Sequence, residues 1–276
     1  MSCCCLSVFI PVAIVAGFVL KYFYDQKKAN TKPELNKKDY TKDVVYLFQF
    51  KRVLGLPNLS PYCTKVELFL RANKIQYEVI ENNFQRSQKG LLPFIELNGE
   101  AIADSELILD HLSKHFGIKE DASKEVAAGG RGIARMFDEE VFRIHLIYKG
   151  RENSFLKILL QGVPSFAFPL LFPVARYFIS RRSGGYGAFT DSELKQIYRK
   201  DLQAANDFLG DKKFFGGDKL ILADFAVFGQ LVSFYYLPCQ TDLHSIIDEF
   251  PALKKHMASI IREYFSDFDV VKKLKE

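Results

Sequence analysis

The sequence predicts an α+β domain followed by an all-α domain, with an apolar anchor in front. Three observations carry this. Residues 44–116 alternate short apolar runs with amphipathic helices in the order β-α-β-(α)-β-β-α. Every periodic segment after about Glu120 has helical spacing. Cys3 to Leu20 is an almost unbroken apolar run, CCCLSVFIPVAIVAGFVL. The expected division is an anchor over 1–26, a linker over 27–42, an α+β domain over 43–118 and a helical domain over 119–276. A chain of 276 residues is long enough for two such domains.

The apolar run, extended by Tyr22, Phe23 and Tyr24, has the length of a transmembrane helix, which takes roughly 17–25 residues. A cleaved signal peptide is the alternative, but no Lys or Arg precedes the run. Lys21, Lys27, Lys28 and Lys32 follow it, so the positive-inside rule places the globular part in the cytosol. The expectation is a single-pass membrane protein held through residues 3–24, in an organelle the sequence does not specify. A lysosomal or secretory-pathway membrane is the alternative location. Cys3, Cys4 and Cys5 are read as apolar residues of the span, with S-acylation or soft-metal binding as the other readings.

Composition excludes several classes. The net charge of +5 is spread along the chain, with no basic stripe interleaved with aromatics, so no nucleic-acid partner is expected. Five cysteines, three of them adjacent, make no disulfide framework and suit a reducing compartment. There is no CxxC pair or HExxH helix, and no metal site is expected.

In the first domain, Val44–Phe50 is apolar on both faces, as in the central strand of a mostly parallel sheet. Ser60 is placed to cap the next helix and Pro61 to occupy its first position. That helix is expected to run to Ala72, with Asn73 as a left-handed stop. A second strand follows over Ile75–Ile80, then a loop or short helix over Glu81–Gly90. Pro93 opens a third strand, Asn98-Gly99 turns the chain, and Glu100–Ala103 returns. Asp104 or Ser105 then caps a helix that ends near Phe116 at Gly117.

The second domain is expected to hold one long helix over Ser123–Lys149, despite Gly129, Gly130 and Gly132. Phe155–Ile179 is apolar enough for a second span, but Lys157, Gln161, Pro164, Pro169 and Pro173 argue against one. A buried helical hairpin or a membrane-contacting face suits it better. Arg181–Gly187 reads as a flexible connection. Thr190 and Glu193 form a capping box for a helix to about Leu209. Leu222 to about Tyr236 reads as the core helix, with Asp224 capping its start. Asp248–Tyr264 is the last helical region.

This order resembles the glutathione-transferase architecture, a thioredoxin-like domain followed by an all-helical one. Ser60-Pro61-Tyr62-Cys63 stands where thioredoxin-like proteins carry Cys-Pro-Tyr-Cys, and Leu92-Pro93 where they carry a cis-proline. Asp104-Ser105 stands where transferases carry an acidic-Ser pair. Three segments, SPYCTKVELFLRANKIQYE, GGYGAFTDSELKQIYRKDL and GDKKFFGGDKLILADFAVFGQL, resemble the metaxin-like group, with its failed axon connections and nematode cadmium-responsive members. Ile221 departs from the usual Ser or Thr, and the chain has no Trp.

The resemblance implies a glutathione site. Ser60 would stabilise the thiolate, and Leu92, before Pro93, would offer backbone bonds to the peptide. Asp104 would meet the γ-glutamyl ammonium and Ser105 its carboxylate. Cys63 stands at the resolving position of a redox pair whose first member is Ser60, so dithiol exchange is lost; Cys63 is expected to be a buried helix residue. Cys239 has no expected role. Two readings follow: a membrane-anchored glutathione-dependent protein of stress, cadmium or xenobiotic response, or a non-catalytic adaptor of the metaxin kind. The second would use the helical domain for a protein partner or homodimer.

Overall fold

The structure is a computed structural model that describes residues 34–52, 55–82 and 86–268. The anchor expected over residues 3–24, with Cys3, Cys4 and Cys5, lies outside them. Among the described residues no helix is long and apolar enough to cross a membrane.

The first half contains β1 (Val45–Gln49), α1 (Pro61–Ala72), β2 (Tyr77–Glu81), β3 (Phe94–Leu97), β4 (Glu100–Ala103) and α2 (Ser105–Phe116). They form a four-stranded sheet in the order β2-β1-β3-β4. β1 runs parallel to β2 and antiparallel to β3, and β3 runs antiparallel to β4. The expected mostly parallel sheet is therefore mixed. Only the α1 crossover returns the chain parallel; the tight turn at Asn98 (φ 49°) and Gly99 (φ 83°) can join only antiparallel strands.

β1 is buried on both faces because each face has its own cover. Val45, Leu47, Ile95 and Leu97 join the main core, whereas Tyr46, Phe48 and Phe94 pack with Cys63 and Leu92 on the other side. Residues 36–41, within the expected linker, are held to the sheet. The buried Glu96 carboxylate accepts the backbone N–H groups of Asn36 and Lys37, each at 2.8 Å, and Tyr46 Oη accepts that of Thr41 at 2.9 Å. The left-handed residue after α1 is Lys74 (φ 54°), not Asn73, whose φ is −94°. Asn73 caps instead through its side chain, Nδ2 donating to Phe69 O at 2.8 Å.

The helical half contains α3 (Lys124–Met136), a π turn (Phe137–Val141), α4 (Phe142–Arg151), α5 (Asn153–Leu159), α6 (Phe168–Arg182), α7 (Asp191–Leu209), α8 (Leu222–Tyr235), α9 (Asp242–Asp248) and α10 (Pro251–Tyr264). The single helix expected over 123–149 is thus α3 and α4 joined through one wide turn. The stretch 155–179 is not a buried hairpin. It is α5, a single 3-10 turn and α6, and none of the α6 residues is buried. The expected loop at 181–187 begins as the last residues of α6 and continues as a 3-10 turn over Gly184–Ala188.

α8 is the centre of this half, buried from Ala223 to Phe234. The buried Asp224 carboxylate holds its start, accepting Ile221 N at 2.8 Å, Phe215 N at 3.0 Å and the His256 Nε2 proton at 2.7 Å. α8 also crosses α1, and their closest approach is at Gly229. A Cβ there would stand 2.5 Å from Pro61 O and 3.4 Å from Lys65 N. Backbone cannot yield as a flexible side chain can. Gly229→Ala is expected to destabilise the fold by about 1–3 kcal/mol, read as a lowered midpoint of urea unfolding.

Candidate functional site

The start of α1 is fixed from four sides. Ser60 takes an extended conformation, and its Oγ accepts Cys63 N–H at 3.5 Å, so the expected cap is formed. Asn58 braces the preceding loop: Oδ1 accepts Ser60 N–H at 3.0 Å and Nδ2 donates to Phe50 O at 2.8 Å. Ser233 on α8 donates to Asn58 O at 3.1 Å. Tyr62 Oη donates to Asp138 O in the π turn at 2.6 Å. One turn on, the buried Lys65 ammonium lies 2.6 Å from Asp138 and 3.1 Å from Glu106, and Glu106 lies 2.7 Å from Arg131. These charges balance, which suits a buried cation.

Two adjoining depressions open at this helix start. The larger, about 470 Å³, is lined by Ser60, Leu92, Phe142, His145, Lys149, Phe155 and neighbours. The smaller, about 200 Å³, is lined by Leu92, Pro93, Asp104, Ser105, Glu106, Arg135 and neighbours. Tyr62, Leu91, Leu92 and Arg182 border both. So Ser60 and Leu92 share one depression, and Leu92, Pro93, Asp104 and Ser105 share the next. The Leu92-Pro93 peptide bond is cis. Asp104 (φ 88°) is the helix cap, its Oδ1 accepting Glu106 N–H at 3.1 Å and Leu107 N–H at 3.5 Å. Ser105 is the first residue of α2 and is buried.

Burial sets the protonation of the nearby groups. It pushes the Cys63 thiol up to about 12, against a smaller opposing effect of the Ser60 hydrogen bond. Cys63 is thus a neutral core residue, as expected. Burial and the nearby Asp138 raise the Tyr62 hydroxyl, so Tyr62 stays protonated as a donor. Burial holds the His145 imidazole well below its usual range, with Lys149 adding to the effect. It lowers the Lys149 ammonium to about 8.

With this geometry described, comparisons with known proteins can be set beside it. The glutathione S-transferase N-terminal domain family matches residues 61–153, and the glutathione S-transferase C-terminal domain family matches 198–260. Failed axon connections of Drosophila melanogaster is 29% identical over 260 residues, covering 86% of this chain. The two family matches together cover more than half of the chain, which belongs to the glutathione S-transferase family. The chain spans 62% of the length of that Drosophila relative. Isoprene-epoxide–glutathione S-transferase of Rhodococcus sp. (strain AD45) is 26% identical over 236 residues, covering 80% of this chain and 99% of that protein. A glutathione S-transferase of Ceriporiopsis subvermispora, solved in complex with glutathione, superposes with a TM-score of 0.56 at 16% identity, over 80% of this chain and 97% of that one. At that identity the likeness concerns the fold. The N-terminal family match begins one residue after Ser60.

Within this transferase fold, four lining residues were not foreseen from sequence: Tyr62, His145, Lys149 and Arg182. Tyr62 and Arg182 stood inside motifs already noted, but nothing local marks them as bordering two depressions. His145 and Lys149 are one turn apart on α4, a spacing shared by any helix face.

Lys149 yields a pH prediction. Its folded pKa of about 8 lies below the ordinary lysine value of 10.5. Between these pH values the unfolded chain holds a proton that the folded chain has released, so this group makes stability rise with pH there. Its largest contribution to the slope is about 1.4 kcal/mol per pH unit. Unfolding of wild type and Lys149→Met between pH 7 and 10 is expected to show that rise reduced in the variant.

Proposed function

We propose that this protein binds glutathione across the two depressions, with the thiol at Ser60 and the γ-glutamyl end at Asp104 and Ser105. The observation that supports this most is their meeting at Leu92, which lines both depressions. The Ser60 hydroxyl accepts one weak cap bond at the positive end of α1 and also interacts with the Cys63 thiol, a contact that a ligand's thiolate would take over. A thiolate there gains a charge-assisted hydrogen bond. Leu92, which lines both depressions, suits the cysteinyl peptide unit through its backbone. Ser105 at the start of α2 suits a carboxylate and Asp104 an ammonium. Arg182, bordering both depressions, suits glutathione's second carboxylate. With an electrophile in the larger depression, the thiolate forms a C–S bond and the electrophile's leaving group, or opened ring oxygen, takes the displaced electron pair. Conjugation of this kind is the activity that fits a stress or xenobiotic response. A thiol ligand of this type also suits a cadmium response. The anchor over residues 3–24 would place the site at a membrane, facing the cytosol.

Calorimetric titration of the full chain with glutathione is expected to show one site, weakened at least about tenfold in Asp104→Ala, the scale of one lost charge-assisted contact. No heat with wild type would refute the reading. Where binding is found, Ser60→Ala is expected to raise the pKa of the bound thiol, followed by its thiolate absorbance.

The second reading, a non-catalytic adaptor, is favoured by one surface. Phe166, Leu170, Val174 and Phe178 recur every four residues and are 85, 75, 47 and 61% exposed. Residues 153–190 carry Lys157, Arg176, Arg181 and Arg182 but no acid. A continuous apolar stripe of this kind marks a contact face. The chain has no tryptophan, so Leu170→Trp gives a single reporter. In the full chain its emission is expected at the blue end, as for a covered residue; water-like emission would rule out a contact there.

A further inference from the structure

The protein buries two lysines near the site and treats them differently. Lys65 is flanked by the carboxylates of Asp138 and Glu106. Lys149 is 5% exposed, and its ammonium donates to one backbone carbonyl, Ser233 O, at 2.7 Å. Beyond that it faces aromatic rings, 5.6 Å from the Phe155 centroid and 5.7 Å from that of Phe234, and the Cys239 thiol, which burial keeps neutral. Among the described residues no carboxylate lies within ion-pair distance of it. An unpaired buried cation is costly.

Lys149 lines the larger depression, so the missing anion has a route to it. The same walls hold another polar group with unused capacity: His145 Nδ1 is buried without a partner. The rest of the lining mixes apolar side chains, Leu91, Leu146, Phe155, Ile158 and Leu159 among them, with the exposed cations Lys51, Arg86 and Arg182 at the rim. The space thus has a buried cation within, apolar walls and a cationic rim, and about 470 Å³ is the size of a small-molecule site.

We propose that the larger depression binds an amphiphilic monocarboxylate, with its carboxylate on the Lys149 ammonium and its hydrocarbon part along Phe155 and Leu159. The carboxylate supplies the counter-charge that the fold omits, and the aliphatic part covers the apolar wall. This site lies beside the one proposed for the glutathione thiol and stands without it. The lowered pKa of Lys149 accords with the empty counter-charge position, and a bound carboxylate would raise it.

The test is a calorimetric titration of the full chain, without glutathione, by octanoate and by its neutral isostere octanamide. Octanoate is expected to bind wild type at least about tenfold more tightly, the scale of one desolvated ion pair. Lys149→Met keeps the aliphatic stem and removes the charge; it is expected to abolish the preference while octanamide binding persists. Persistence of octanamide binding also reports that the variant is folded. Equal binding of the two probes to wild type overturns the proposal, as does an octanoate preference that survives in Lys149→Met. Glutathione is titrated separately into both proteins. If Lys149→Met abolishes glutathione binding and octanoate binds neither protein, the anion on Lys149 is a glutathione carboxylate and the proposal fails. Failure of glutathione to bind either protein leaves the octanoate result standing, so the two readings are separable.

Discussion

The contact between the start of α1 and the middle of α8 is the constraint on which the rest depends. It is a backbone contact, made possible by the missing side chain at Gly229. Ser233, one turn further along α8, reaches back to Asn58 O and lies 3.4 Å from Thr64 Oγ1. One helix of the second half therefore sets the position of the loop that carries Ser60. The two halves are not independent supports for a site between them; they share the strut that positions it.

The π turn gives the same contact its polar side. A wide turn between α3 and α4 puts Asp138 under Lys65 and presents its carbonyl to Tyr62. Glu106, on α2, completes the group and is paired in turn with Arg131. Two elements, the π turn and α2, thus converge on one lysine of α1. A balanced buried ion group specifies geometry more than it adds stability, because desolvation offsets much of the attraction. What it specifies here is the orientation of α1, and with it the direction of the Ser60 hydroxyl and of the helix's positive end.

Lys149 shows the opposite arrangement a short way along the same cleft. There, among the described residues, the fold provides burial and aromatic walls but no carboxylate within ion-pair distance. Lys65 belongs to the scaffold, and Lys149 belongs to the space the scaffold encloses. The exposed stripe on the 3-10 turn and α6 is likewise left open. The segment 153–190 buries Phe155 and Leu156 but no residue of α6.

Local chemistry made much of this legible in the sequence. The Ser60 cap with Pro61, the Asn98-Gly99 turn, the Gly117 stop, the Thr190–Glu193 capping box and the Asp224 helix start all depend on residues within a few positions of each other. They came out as read, as did burial of Cys63. Strand direction beyond the hairpin did not, because β1 reads as buried on both faces whether its neighbour is parallel or antiparallel. The break between α3 and α4 was also hidden, since a π turn changes the hydrogen-bond ladder without changing the residue types. The stretch 155–179 misled because apolarity alone does not say whether a face is covered.

The sequence by itself determined the elements of the first half, their order and the residues Ser60, Pro93, Asp104 and Ser105 as candidates, because caps, turns and periodicity act over a few residues. Only the tertiary structure decided which of those residues share a wall, and which buried charge has a counter-ion. Those outcomes depend on chain segments such as α1, the π turn and α8, which are far apart in sequence and meet only when the core closes. Lys65 and Lys149 are indistinguishable as letters; packing gave one of them two carboxylates and left the other facing an open cleft.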